Sequence, residues 1–184
     1  LPTERLAPAA DLDWPTVLIQ PFSAVPFKQS PAALYRRIIA ALPVDWQVRI
    51  TGTPGDMERN PSFRELLNPP RVTFDASPFE TLVPVLRAAR LVVSVDTALL
   101  HLAVAVGAPT LGLASAAFVG EIVPYAPEIA PVNAEILYHS MPCEGCLGAC
   151  VLPAEDGMYP CVARLDADAV IAKVGEMVRW GATS

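Results

Sequence analysis

The sequence predicts an α/β fold, a Rossmann-like open parallel sheet of about six strands with helices on both faces. Three observations predict it. Short apolar runs alternate with helical patterns from residue 16 to residue 180, and the loops between them are short. Leu91-Val92-Val93-Ser94-Val95 is an unbroken, largely β-branched run, as a strand covered on both faces requires. The 184 residues are 53% hydrophobic and 17% charged, which supplies a full core and excludes disorder as the main state.

Each element has its own signal. Residues 1–15 are rich in Pro and Ala and read as a linker. Thr16-Val17-Leu18-Ile19-Gln20 is the first strand. A polar loop runs to Ser30, which is placed to cap a helix opened by Pro31, with Leu34, Ile38 and Leu42 on one face. Trp46 to Thr51 is the second strand, followed by the loop Gly52-Thr53-Pro54-Gly55-Asp56. Asn60-Pro61 starts a helix ending near Leu67, and Val72-Thr73-Phe74 is a short strand. Ser77-Pro78 caps the next helix, which presents Leu82, Leu86 and Ala89. After the Leu91–Val95 strand come a helix from Thr97 to Val106 and a strand from Thr110 to Leu113. A weaker strand lies within Ile129–Leu137, and the last helix spans Asp166 to Trp180.

Charge narrows the function. Thirteen Lys and Arg stand against nineteen Asp and Glu, a net charge of -6. An acidic domain repels phosphate backbones and anionic membrane surfaces, so nucleic acid is excluded as a general partner. Any bound anion must be held by local groups. Thr97 to Gly120 carries no Asp, Glu, Lys or Arg and has the length of a membrane span, but Gly107-Ala108-Pro109 breaks it and His101 lies inside. A buried helix, a turn and a buried strand account for it, so no transmembrane segment is expected. The chain begins at Leu1 rather than Met, which reads as a trimmed chain or a piece of a longer one, and residues 1–15 lack the pattern of a signal peptide.

Chemistry in such a sheet belongs beyond the carboxyl ends of the strands, where the strand order reverses between the first and fourth. Two polar clusters fall there: Ser23, Lys28, Gln29 and Ser30 after the first strand, and Asp96 and Thr97 after the fourth, with His101 one turn on. The helix that begins at Thr97 offers N–H groups and a positive dipole end to a phosphate, and Lys28 is placed to reach it from the opposite loop. Taken singly, Asp96 reads as an N-cap, Lys28 as a solvated charge and His101 as a core histidine. Their convergence favours a ligand site. Gln20-Pro21-Phe22-Ser23-Ala24 is no dinucleotide fingerprint, and the chain has no P-loop. Asp11-Leu12-Asp13 and Asp166-Ala167-Asp168 read as solvated or capping carboxylates rather than a metal motif.

All four cysteines, Cys143, Cys146, Cys150 and Cys161, fall in one Gly/Pro-rich stretch over residues 141–161, spaced C-x2-C-x3-C-x10-C. A Cys-x-x-Cys pair suits two ligands of a tetrahedral thiolate site. A structural Zn or Fe site, free thiols and disulfides are the three readings, in that order.

Leu91-Val92-Val93-Ser94-Val95-Asp96-Thr97-Ala98-Leu99-Leu100-His101-Leu102-Ala103 resembles the core motif of the heptosyltransferase family, glycosyltransferase family 9: an apolar strand, Ser-x-Asp-Thr-Gly, two residues, then His-Leu-Ala. Gly107-Ala108-Pro109-Thr110, the lysine-bearing loop and the second strand ending before Gly52 extend the similarity over residues 16 to 180. The resemblance implies one half of a two-domain GT-B fold, its C-terminal, sugar-nucleotide-binding domain at 16–184. It implies transfer of a sugar from a nucleoside-diphosphate donor, ADP-heptose foremost, to an acceptor hydroxyl, as in lipopolysaccharide biosynthesis. Ser23 and Lys28 would contact the diphosphate. Asp96, Thr97, Ala98 and His101 would line the phosphate and sugar end, and Asp56 or Glu58 would hold the ribose hydroxyls.

No catalytic metal is implied, because a cation, a helix dipole and backbone donors offset the leaving-group charge. Relatives acting on autotransporter proteins carry a four-cysteine iron site, with a different spacing. The implied address is cytoplasmic, with the inner-membrane periphery as its variant. Ala98 replaces the family glycine, Phe22 stands in a loop that usually contains Gly, and no residue matches the family's catalytic carboxylate, which belongs to an absent N-terminal acceptor domain. The expectation is a chain that binds a donor but does not transfer it alone. The alternatives are a degenerate scaffold module and a sugar-nucleotide epimerase on a similar sheet.

Overall fold

The computed structural model describes residues 6–181. Six strands alternate with helices: β1 (Thr16–Gln20), α1 (Ala32–Ala41), β2 (Gln47–Thr51), the one-turn α2 (Asp56–Arg59), β3 (Val72–Asp75), α3 (Phe79–Ala88), β4 (Leu91–Val95), α4 (Ala98–Ala105), β5 (Thr110–Leu113), β6 (Ala134–Leu137), the short α5 (Pro160–Ala163) and α6 (Ala167–Gly181). Every pairing is parallel, in the order β3-β2-β1-β4-β5-β6. This is the expected Rossmann-like sheet, and its order reverses between β1 and β4.

Side chains alternate across each strand, so the sheet buries two faces. Val17, Ile19, Val48, Ile50 and Val93 pack with α1 and α6 on one side. Leu18 and Val92 pack with α3 and α4 on the other. All five residues of β4 are buried, which explains its unbroken apolar run. Val170, Val174 and Met177 bring α6 onto the first face, with Ile171 and Val178 at its margin.

Several boundaries differ from the sequence expectation. Ser30 does not cap α1: Pro31 is the N-cap, with φ -67° and ψ 150°, and no side chain bonds the helix start. The proline ring and its restriction of the preceding residue keep both positions extended, and Ser30 is instead buried. Pro78 takes the same position before α3. Asp56 opens α2 rather than ending a loop, and Pro61–Leu67 is a 3-10 helix. The late strand is confined to Ala134–Leu137, with Pro127–Ile129 a 3-10 turn. The linker expectation covers residues 1–15, of which 1–5 lie outside the described residues. From Leu6 on the segment has no helix or strand until β1, yet it docks: Leu6, Ala10 and Leu12 pack on the α3–α4 face, and the Ala10 N–H donates to the Pro84 carbonyl at 2.8 Å. The uncharged stretch 97–120 divides into α4, a turn with Gly107 at φ 86° and buried β5. Among the described residues no helix is long and apolar enough to cross a membrane.

Candidate functional site

The loops after β1, β2, β3 and β4 open on one edge of the sheet and enclose a cleft of about 1010 Å³. Lys28 comes from a 3-10 turn, Pro26–Lys28, after β1. Asp96 follows directly on β4. Their side chains, 68 residues apart in sequence, meet at 2.8 Å between Nζ and Oδ2, with 11% and 3% of each exposed. A buried carboxylate requires such a partner, because removing it from water otherwise costs several kcal/mol. An ammonium has three donors, and the Asp96 bond uses one. The Nζ also lies 4.6 Å from the centre of the Phe118 ring, a cation–π contact from the loop after β5.

Behind the pair stands His101, on α4. Its Nε2 is 3.6 Å from Asp96 Oδ1, and its Nδ1 is 2.8 Å from the Tyr125 hydroxyl. The two rings meet edge to face. Burial, and then the negative charge of Asp96, push the Tyr125 hydroxyl above its ordinary pKa, so it stays protonated at neutral pH. Asp96, His101 and Tyr125 therefore form one polar string, with Lys28 at its cleft end.

The start of α4 faces the same cleft. Thr97 is its N-cap in extended geometry and makes no side-chain bond to the helix start. Its Oγ1 lies 3.4 Å from Ser94 Oγ instead. The first N–H groups of the helix are thus not used by a side-chain cap. Asp96 is not the N-cap that its position after a strand suggests: it precedes Thr97 and is spent on Lys28. Ala98 is exposed at the cleft.

Across the opening, Asp56 accepts the Thr53 backbone N–H at 2.5 Å and pairs with Arg59 at 2.7 Å. Burial raises its pKa, but the Thr53 and Arg59 hydrogen bonds together outweigh burial and leave the carboxyl below its ordinary range. Gly52 makes this approach possible. A Cβ there would lie 2.9 Å from Asp56 Oδ2 and 2.9 Å from the Phe22 ring.

Of the residues expected from sequence, Ser23, Lys28, Asp56, Asp96, Thr97 and Ala98 line the cleft. Glu58 is exposed on α2 and is not among the lining residues, and neither is His101. Ser23 is engaged locally, its Oγ accepting the Val25 N–H at 3.2 Å. Phe22 is 2% exposed and packs on Phe63 and Phe74, so its ring belongs mainly to the core. Sequence reasoning does not reach Arg59, Phe118 or Tyr125. The last two lie in the loop after β5, which opens on the same sheet edge as the loops after β1 and β4.

Cys143, Cys146, Cys150 and Cys161 surround one small cavity of about 10 Å³ and carry no disulfide. Among the described residues, no three His, Cys, Asp or Glu side chains form a group that could hold a metal ion. This departs from the expected ligand set. The thiol of Cys161 is buried against backbone N–H groups of Ala116 and Ala117, whereas the other three are half-buried on a turning loop. Burial, only partly offset by those N–H groups, raises the Cys161 pKa. Asp166 does cap: its carboxylate accepts the N–H groups of Asp168 and Ala169 at 2.9 and 3.1 Å.

Comparison with known proteins matches the chain to a family. The profile of glycosyltransferase family 9 (heptosyltransferase) matches residues 2–145. No curated protein sequence matches the chain. Among solved structures it is similar to an E. coli ADP-heptose LPS heptosyltransferase II, at TM-score 0.64 and 18% identity over 92% of this chain and 48% of that one. It is similar to E. coli heptosyltransferase WaaC with ADP, at TM-score 0.64 and 22% identity over 95% and 47%. It is also similar to the iron-containing dodecameric glycosyltransferase TibC of enterotoxigenic E. coli, at TM-score 0.61 and 17% identity over 97% and 47%. The chain spans about half the length of these structures.

Proposed function

The chain belongs to glycosyltransferase family 9, and from that premise we propose that its cleft is the donor site of a sugar transferase using a nucleoside-diphosphate sugar, ADP-heptose foremost. The observation that carries this reading is the buried Lys28–Asp96 pair beside the start of α4. Asp96 holds the ammonium in place, and its remaining N–H donors with those of the helix start serve the diphosphate. When an acceptor hydroxyl attacks the anomeric carbon, negative charge grows on the leaving diphosphate, and these fixed donors stabilise it. Asp56, held on Gly52's side of the cleft, is the carboxylate that takes the ribose hydroxyls; the exposed position of Glu58 favours Asp56. His101 and Tyr125 orient Asp96 from behind.

In the two-domain reading the acceptor site and the general base belong to the other domain, and the domain at 16–184 supplies donor binding. The domain reading is thus a linker followed by the donor domain at 16–184, in a cytoplasmic enzyme with the inner-membrane periphery as the variant address.

Calorimetric titration with ADP, UDP and GDP tests the reading. ADP at a hundred times its dissociation constant stabilises the chain by about 2.7 kcal/mol. Lys28→Ala is expected to weaken ADP binding roughly 10- to 100-fold, as loss of a charged hydrogen bond does. Equal ADP affinity in the variant removes Lys28 from the site. Absence of binding by any nucleotide, in this chain and in a chain with the second domain restored, favours the scaffold alternative.

A further inference from the structure

Resting on the donor-site reading, we propose that the cysteine-bearing loop is the positioning element for Lys28, acting through Tyr159 on one side and Phe118 on the other. The contacts run without a gap. The Phe27 ring, next to Lys28, stacks on Tyr159 with centroids 5.4 Å apart and planes 23° from parallel. The Tyr159 N–H donates to the Phe27 carbonyl at 2.9 Å, so backbone and ring together fix the Lys28 turn. The turn is a single 3-10 turn with no buried residue, so its backbone gains little from the core. Tyr159 in turn lines the thiol cavity.

The second arm begins at Ala116–Phe118, a 3-10 turn after β5. The Ala116 carbonyl accepts the Gly145 N–H at 3.0 Å, and the Ala117 carbonyl accepts the Leu147 N–H at 2.8 Å. The N–H groups of the same two alanines point at the Cys161 sulfur. Residues 143–161 therefore grip this turn by both its donors and its acceptors, and the turn carries the Phe118 ring to 4.6 Å from Lys28 Nζ. Asp96 holds one N–H of the Lys28 ammonium, at 2.8 Å, but does not fix the backbone turn that carries the side chain or the rest of its path. The Phe27–Tyr159 stack fixes the turn and the Phe118 ring borders the ammonium, and together they set the pose that a diphosphate meets. Ordering a long, flexible side chain before binding lowers the entropy lost on binding, which appears as donor affinity.

The test is ADP affinity in Tyr159→Ala, Tyr159→Phe and Phe118→Leu, each with Lys28 and with Lys28→Ala. Phe118→Leu removes the ring but keeps apolar bulk, so it carries the test if Tyr159→Ala does not fold. The expected result is ADP binding about 5-fold weaker in Tyr159→Ala and in Phe118→Leu, and unchanged in Tyr159→Phe. In the Lys28→Ala background neither change weakens binding further, because the residue they position is gone. Equal weakening in both backgrounds assigns the loop a general structural role and overturns the proposal, as does unchanged affinity in both variants. If the unaltered chain does not bind ADP, or Lys28→Ala has no effect, the donor-site reading itself fails and this inference falls with it.

Discussion

At the residue scale, the cleft carries a few buried or shielded charges, each held by a partner. Lys28 and Asp96 illustrate it: each is an ordinary loop residue in sequence, and each is stable in its position only because the other is there. Asp56 gives a pH signature. Its folded pKa lies below the ordinary value of 3.8, so the ionised form is favoured in the folded state. Its contribution to stability is fully present above that value and is lost as pH falls through the folded pKa. Asp56→Asn should therefore destabilise the protein at neutral pH and flatten the acid side of its stability curve. Chemical denaturation of both proteins at pH 6 and at stepwise lower pH measures this; a constant difference across the range contradicts it.

At the element scale, helices are legible by periodicity and their ends are not. The Leu82, Leu86 and Ala89 stripe of α3 packs as its spacing implies, and Leu86 is fully buried against the β1–β4 face. Leu86→Ala should cost about 2–5 kcal/mol, read from urea unfolding. A loss below about 1 kcal/mol would mean that α3 is not integral to this face. α3 also contains Pro84, which has no N–H for the helix ladder, and the Pro84 carbonyl is taken by Ala10 from the segment before β1. Caps differ from expectation where a proline follows a serine, because side-chain chemistry favours Ser at the cap while backbone geometry gives the position to Pro31 and Pro78.

At the scale of the whole molecule, one sheet edge gathers the cleft, the aromatic contacts around Lys28 and the thiol loop. Cys161 is 7% exposed and its pKa is raised by burial, whereas Cys143, Cys146 and Cys150 are half-buried. Under native, metal-free conditions iodoacetamide should label Cys161 about tenfold or more slowly than the other three, with the difference vanishing in denaturant. Peptide mass spectrometry reads the order, and uniform native labelling would contradict this packing of the loop.

The parallel α/β architecture is legible in the sequence by itself, because hydrophobic periodicity is local and the crossover rules leave few ways to join such units. The motif from Leu91 to Ala103 and the lysine loop likewise point to the sheet edge on which the cleft opens, since the reversal of strand order follows from topology. Distances follow from tertiary structure alone. That Lys28 closes on Asp96 at 2.8 Å, that Asp56 rather than Glu58 lines the cleft, and that Phe118, Tyr125 and Tyr159 reach the site all depend on loops meeting across long sequence separations. Local propensity carries no term for such meetings. They are decided by which side chains find a partner once the sheet has removed them from water.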